Sequence, residues 1–383
     1  MTIYLDNAAT TWPKPESVIQ AMNQFNNLIG SNPGRSGHHL SVEAGRIVFN
    51  TREILAKLFG ISDPLRIAFT SNATHSLNIV LQGLLKPGDN VITTSLEHNS
   101  VMRPLRELES QGIELTIIEC STSGQFVDTE KIRKLIKSNT KLIITTHASN
   151  VTGTILPISE IGKIAAEYNI PYCVDSAQTA GILDIDVQKS HIDILCFTGH
   201  KGLFGPMGTG GLYIKKNLEK KIRPLMFGGT GSRSEFEIQP DFMPDKYESG
   251  TLNTIGIAGL YAGVKFITDI GINEIRKKEN FLLTRFINGI SDLNKIILYG
   301  SQHIEDRVAV SSFNIKDLLP SDVSLSFDEN YGILTRPGLH CAPSAHKTIG
   351  TFPFGTNRIS FGYYNTVEDV DTVIKAIYEL SNK

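Results

Sequence analysis

The stretch CFTGHKGLFGPMGTGGLYI, residues 196–214, decides how the rest of the chain is read. Lys201 follows Thr198, Gly199 and His200 and sits among six glycines between positions 199 and 211. Each glycine costs a helix about 1 kcal/mol relative to alanine, so a regular helix is excluded and the lysine belongs on a strand-to-loop junction. The glycines match neither G-x-G-x-x-G between strand and helix nor a phosphate loop ending in G-K-[ST], which sets a nucleotide loop aside.

Outward from this stretch, residues 41–215 alternate helical and strand-like segments. SVEAGRIVFNTREILAKLFG, THSLNIVLQGLL, TEKIRKLIK and ISEIGKIAAEYN carry helical periodicity, whereas RIAFT, NVITTS, ELTIIEC, KLIITTH, IPYCVD, DILCFTG and GTGGLYI are apolar, β-branched runs. Strands apolar throughout are covered on both faces, so the pattern predicts an α/β fold with a mostly parallel sheet and helices on each side. After about residue 250 two helices, 254–270 and 272–290, precede IILYG, RVAVSSFNI, NRISFGY and a closing helix in VEDVDTVIKAIYEL. The spacing predicts a large domain over 15–255 and a smaller α+β domain over 256–383, with residues 1–14 packed near the small domain and the active site.

Composition narrows the function classes. Lysine plus arginine total 37 against 39 acidic residues, a formal charge of -2 without a long basic tract, which argues against a nucleic-acid partner. MTIYLDNAATT has neither a basic leader nor an apolar signal core, and no uncharged apolar run reaches membrane-spanning length. A cytoplasmic location without a membrane is the expectation, and the sequons at Asn72 and Asn150 are then accidental. The four cysteines show no CxxC pair or zinc spacing, so no metal site is expected. Cys120, Cys173 and Cys196 lie in apolar strand-like segments; Cys341 stands apart in a polar, proline-containing stretch.

Ligands of open parallel sheets lie beyond the carboxyl ends of the strands, and IPYCVD ends there in Asp175. A carboxylate at that place can pair with a pyridine nitrogen and keep it protonated, a bond contributing on the order of 1.5–3 kcal/mol. With an amine at Lys201, this pattern points to pyridoxal phosphate held on the lysine. Gln178 is placed to reach the ring's phenolic oxygen, and His98, after the strand NVITTS, to stack on the ring. RIAFT opens through Ser71, Asn72, Ala73 and Thr74 into a helix whose free amides form a phosphate seat, with Thr198 and His200 as further contacts. Singly, each has a plainer explanation: a lysine among glycines is often a solvated loop residue, and a strand-end aspartate is often a helix cap. Their joint spacing carries the assignment.

The chain resembles the fold-type I, class V aminotransferase family, and within it the cysteine desulfurase and selenocysteine lyase branch. The likeness spans nearly the whole length: YLDNAATT at 4–11, NPGRSGHHLS at 32–41, TSNATHSLN at 70–78, LEHNS at 96–100, HASNVTG at 147–153, VDSAQ at 174–178, TGHKG at 198–202, ESGTLNT at 248–254, RPGLHCAP at 336–343 and NRISFGYYNT at 357–366. The resemblance implies a cofactor on Lys201, with Asp175, Gln178 and His98 around the ring and Ala73, Thr74, Thr198 and His200 at the phosphate. It further implies Thr251 reaching across from the second subunit of a homodimer, Asn150 and Arg358 as the clamp for the substrate carboxylate, and Cys341 as the thiol that receives sulfur.

Spacing from Arg336 to Arg358 resembles the short-loop desulfurases, whose members hand sulfur to an acceptor protein. Three positions depart from that pattern: Leu339 replaces a usual second histidine, Pro343 directly follows Ala342, and Ala73 replaces a frequent threonine. The expected reaction converts L-cysteine to L-alanine and leaves a persulfide on Cys341. His340 is adjacent in sequence, but neighbouring side chains on an extended strand point oppositely, which weakens it as partner of the thiol. The rival functions are selenocysteine lyase, another β-eliminating or transaminating enzyme, and a scaffold that has kept the fold; a scaffold needs none of these charges in a crevice.

Overall fold

The computed structural model describes residues 2–34, 37–121, 124 and 127–382; Arg35 and Ser36 of the 32–41 motif lie outside them. Its strands are β1 (Ile3–Tyr4), β2 (Ile67–Thr70), β3 (Asn90–Thr94), β4 (Glu114–Ile118), β5 (Thr140–Thr146), β6 (Tyr172–Asp175), β7 (Ile194–Thr198), β8 (Gly210–Ile214), β9 (Ile296–Tyr299), β10 (Val310–Ile315), β11 (Ile333–Leu334), β12 (Arg336–Gly338) and β13 (Thr356–Ser360). Seven of them form one sheet in the order β2-β8-β7-β6-β5-β3-β4. β8 alone runs against the others, pairing antiparallel with β2 and β7, so the mostly parallel α/β sheet read from the sequence is present with one reversed strand. Every residue of β3, β6, β7 and β8 is buried, as their unbroken apolar and β-branched runs require, whereas edge strand β4 begins exposed.

Two apolar cores cover the sheet. Ile92, Ile143, Val174, Leu195 and Phe197 face one; Val91, Leu142, Cys173, Cys196 and Leu212 face the other. The alternation along each strand sends successive side chains to opposite layers. Ile257, Leu260, Val264 and Ile267 of helix Thr254–Ile270 enter the first of these cores. Leu282, Leu283, Phe286 and Ile290 of helix Ile272–Ile290 instead pack with β10, β13 and helix Val367–Ser381 in a third core. There the smaller antiparallel sheet runs β12-β13-β10-β9.

Among the described residues, four α-helices escape the sequence pattern: Glu16–Gln24, Asn99–Ser110, Pro320–Ser326 and Pro343–Thr348. Glu16–Gln24, extended by a wider turn over Phe25–Ile29, lacks a side-chain cap hydrogen bond at its N-terminus. Asn99–Ser110 contains Pro104, which argues locally against a helix. Pro104 is nevertheless buried beside Val101, Leu105 and Leu108, and that tertiary packing overrides the local cost. Among the described residues, no single helix is long and apolar enough to cross a membrane.

The first residues form a strap between the two sheets. β1 pairs in parallel with β11, and Asp6 bridges to Ser360 of β13. The strap then crosses to the large sheet, where the Thr11 amide, the Thr10 hydroxyl and the Lys14 amine all donate to the His200 carbonyl.

Candidate active site

β3 and β5 are adjacent, but the chain leaves β3 for the edge strand β4 and returns to β5 before continuing to β6 and β7. That change of direction opens a crevice at the strands' carboxyl ends. A cavity of about 320 Å³ occupies it, lined by Thr74, His98, Asn150, Asp175, Gln178, Thr198, His200, Lys201, Arg336 and Arg358 among others. Ten residues named from the sequence, separated by up to 285 positions, thus meet in one place: these with Ala73, and without Arg336, which the sequence had not singled out as functional.

Lys201 leaves β7 on a tight turn, with the Phe204 amide donating to the Lys201 carbonyl. Gly202 is needed there, since a Cβ would stand 2.6 Å from the Ala180 carbonyl oxygen. Burial, aided by Arg358 and Arg336, pulls the Lys201 amine down to about 8, while Asp175 pulls it up. About a tenth of this amine is therefore unprotonated at pH 7, far more than of an ordinary lysine. Asp175 accepts the Ala177 amide on Oδ1 at 2.9 Å, which leaves Oδ2 for the cavity; burial raises this carboxyl and the lysine lowers it.

At the other end of the cavity, Asn72 caps helix Ala73–Leu84 by accepting the His75 amide at 2.9 Å, so the amides of Ala73 and Thr74 stay open to an anion. Thr198 is buried, its hydroxyl 3.4 Å from the Thr209 carbonyl. The Nδ1 of His200 is buried without a partner among the described residues, and burial lowers this ring to about 4. His98 caps helix Asn99–Ser110, its Nδ1 accepting the Ser100 amide at 3.0 Å. That bond puts the ring proton on Nε2, and burial, with Lys201 and Arg336 nearby, keeps the ring neutral by lowering it to about 4. Gln178 already donates to the Ala8 carbonyl at 3.1 Å, so the strap holds this side chain at the cavity wall.

Arg358 is 1 % exposed. Its Nη1 donates to the Asn150 carbonyl at 3.1 Å and its Nη2 to Asp6 at 2.6 Å. The Asn150 side chain does not lie free beside it: its amide donates to the His340 carbonyl at 2.7 Å and fixes the cysteine loop. In that loop His340 and Cys341 both have positive φ, 48° and 60°, which turns their side chains apart. His340 is buried, its Nε2 3.0 Å from the Thr356 hydroxyl, and burial pushes it well below its usual range. Cys341 is exposed, and its neighbour is Arg336, whose Nη2 lies 3.5 Å from the thiol sulfur. A signal for Arg336 existed in the RPGLHC motif, but its approach to Cys341 depends on the turn and could not be read from spacing.

Thr251 lines a different hollow of about 500 Å³, beside Ser71, His75 and Ser249. Within its own chain it does not join the Lys201 cavity.

These residues fit pyridoxal phosphate. The cavity is within the usual ligand range, Asp175 offers an unused oxygen, and the open helix end and unpartnered His200 nitrogen suit a phosphate. Residues 3–373 match the family model described as aminotransferase class V, and the chain belongs to that family. Within it the chain is similar to cysteine desulfurases. It is 35 % identical to a cysteine desulfurase of Thermococcus onnurineus solved in apo form, with a TM-score of 0.92, 100 % of this chain and 95 % of that one covered. The cysteine desulfurase CsdA of Escherichia coli, in an S-sulfonic acid form, superposes with a TM-score of 0.87 at 30 % identity, covering 99 % of this chain and 94 % of that one. A protein of Pyrococcus abyssi named a probable cysteine desulfurase is 37 % identical over 389 residues, 99 % of this chain and 94 % of its own length.

Proposed function

We propose that this chain is a pyridoxal phosphate-dependent cysteine desulfurase that converts L-cysteine to L-alanine and takes the sulfur onto Cys341 as a persulfide. The observation that carries this is the exposed Cys341 thiol set against Arg336, a residue that also lines the Lys201 cavity. A class V transaminase needs no such thiol.

Lys201 would hold the cofactor, Asp175 its ring nitrogen, His98 its face, and Thr74, Thr198 and His200 its phosphate. When bound, pyridoxal phosphate supplies an electron sink for the pair left on the substrate α-carbon. The chain supplies the rest. Arg358 fixes the substrate carboxylate. The Lys201 amine, lowered to about 8, takes the α-proton. The Cys341 sulfur then attacks the substrate's γ-sulfur; an S–S bond forms, the Cβ–S bond breaks with its electron pair left on the carbon side, and protonation of Cβ together with return of a proton to the α-carbon gives alanine. Arg336 stands beside the attacking sulfur and donates to it.

A second copy of the chain completes the site through Thr251, and a protein thiol accepts the persulfide. Support for the homodimer lies around Thr251, where Phe227, Phe236 and Ile238 of the preceding segment are 59 %, 61 % and 79 % exposed.

The test is to incubate the holoenzyme with L-cysteine, and separately with L-selenocysteine, then measure alanine and the intact mass. Alanine with one added sulfur at Cys341 is expected from cysteine. Alanine from selenocysteine alone would make the protein a selenocysteine lyase, and a keto acid would make it a transaminase.

A further inference from the structure

Arg336 and Arg358 are register partners on the antiparallel pair β12 and β13, and both line the Lys201 cavity. Like charges so placed repel unless an anion lies with them. Among the described residues, Asp6 is the carboxylate that pairs with either, at 2.6 Å from Arg358. Asp6 sits on the strap, one residue after fully buried Leu5, and is anchored by its bridge to Ser360 and by the Ala8 amide donating to the Ser360 hydroxyl at 2.8 Å. It cannot drift from the arginine without lifting the strap.

The pairing leaves a defined residue of hydrogen-bonding capacity. Asp6 takes one N–H of Nη2 and the Asn150 carbonyl takes one N–H of Nη1. Nε is buried and unpartnered. One N–H remains on each terminal nitrogen for an incoming carboxylate. Tying the guanidinium at two corners fixes its plane before any ligand arrives, which removes an ordering cost from binding.

We propose that Asp6 is a positioning residue for substrate recognition: it holds the Arg358 guanidinium in the plane that receives the α-carboxylate of the amino acid. This rests on Arg358 as the carboxylate anchor. Asp6 acts through the arginine and not by touching the reacting atoms. Without it the buried guanidinium lacks its one ionic partner and is free to turn toward other acceptors, so affinity for the amino acid falls more than turnover does.

The experiment compares wild type, Asp6→Asn, Asp6→Ala and Arg358→Lys as holoenzymes. KM and kcat are measured with L-cysteine, and Kd for L-alanine is read from the visible spectrum of the bound cofactor without turnover. The expected result is a rise in KM and in the alanine Kd of roughly tenfold for Asp6→Asn and more for Asp6→Ala, with kcat changed less than about threefold. Cofactor absorbance should match wild type. Should Asp6→Ala fail to fold, Asp6→Asn, which keeps the shape, carries the test. An unchanged or lower alanine Kd in Asp6→Asn, while Arg358→Lys raises it, overturns the proposal and leaves the anchor intact. An unchanged Kd in Arg358→Lys would instead remove the anchor on which the proposal stands.

Discussion

The Nη2 of Arg336 lies 3.5 Å from the Sγ of Cys341, and no carboxylate pairs with that guanidinium among the described residues. The cation is therefore available to a sulfur that becomes anionic during transfer. A charge-assisted hydrogen bond of this kind contributes about 1.5–3 kcal/mol. Arg336→Met should slow persulfide formation roughly ten- to hundredfold while the bound cofactor's spectrum stays unchanged. Rapid quench with intact-mass detection measures the step; an unchanged rate would show that the contact is incidental.

Lys201 and Cys341 separate two functions. Lys201→Ala should lose both the visible absorbance of bound cofactor and alanine production. Cys341→Ser should keep the absorbance and form no persulfide. Absorbance and mass spectrometry on the same samples check both, and persulfide at the normal rate in the serine variant would remove Cys341 from the mechanism.

Glu279 gives a pH signature. It is 4 % exposed, and burial pushes its carboxyl up to about 8 against the pull of Arg276 and Lys278. Between the unfolded value near 4.5 and about 8, the folded chain holds a proton that the unfolded chain releases. Stability from this group is thus full below 4.5 and is lost as pH rises through 8. Glu279→Gln should melt like wild type near pH 5 and be more stable by about 2–4 kcal/mol at pH 9. Thermal melts at the two values decide it; equal melting at both would mean that the carboxyl finds a partner.

Gly202 is a steric requirement. A Cβ there meets the Ala180 carbonyl at 2.6 Å and the Ile182 side chain at 2.6 Å. Gly202→Ala should displace the Lys201 turn, destabilise by about 1–3 kcal/mol and weaken cofactor binding. Melting and a cofactor titration report the two effects; a variant with normal affinity would show that the turn yields elsewhere.

The sheet was legible because its strands are continuous apolar runs ending in polar residues, and two of those ends, Thr198 and Asp175, with His98 in the turn after β3, are where the cavity forms. Periodicity marks such ends locally. Asn99–Ser110 was not legible because Pro104 lowers its helix propensity, while the packing that rescues it comes from distant residues. Arg336 was visible as a motif residue but not as a partner of Cys341, since their contact arises from two consecutive positive-φ residues. Asn150 and Gln178 line the cavity, yet their bonds to His340 and Ala8 join segments that no spacing rule relates.

The Asn7 amide donates to the carbonyl of Ser360, 353 residues away. A ribosome releases the first of these positions long before it makes the second, so the segment around Asn7 must wait, unplaced, for its docking strand. The wall that Ala8 lends to the Lys201 cavity can close only once Ser360 has emerged, which makes assembly of the reaction chamber a later event than collapse of the large sheet, whose strands all precede residue 215.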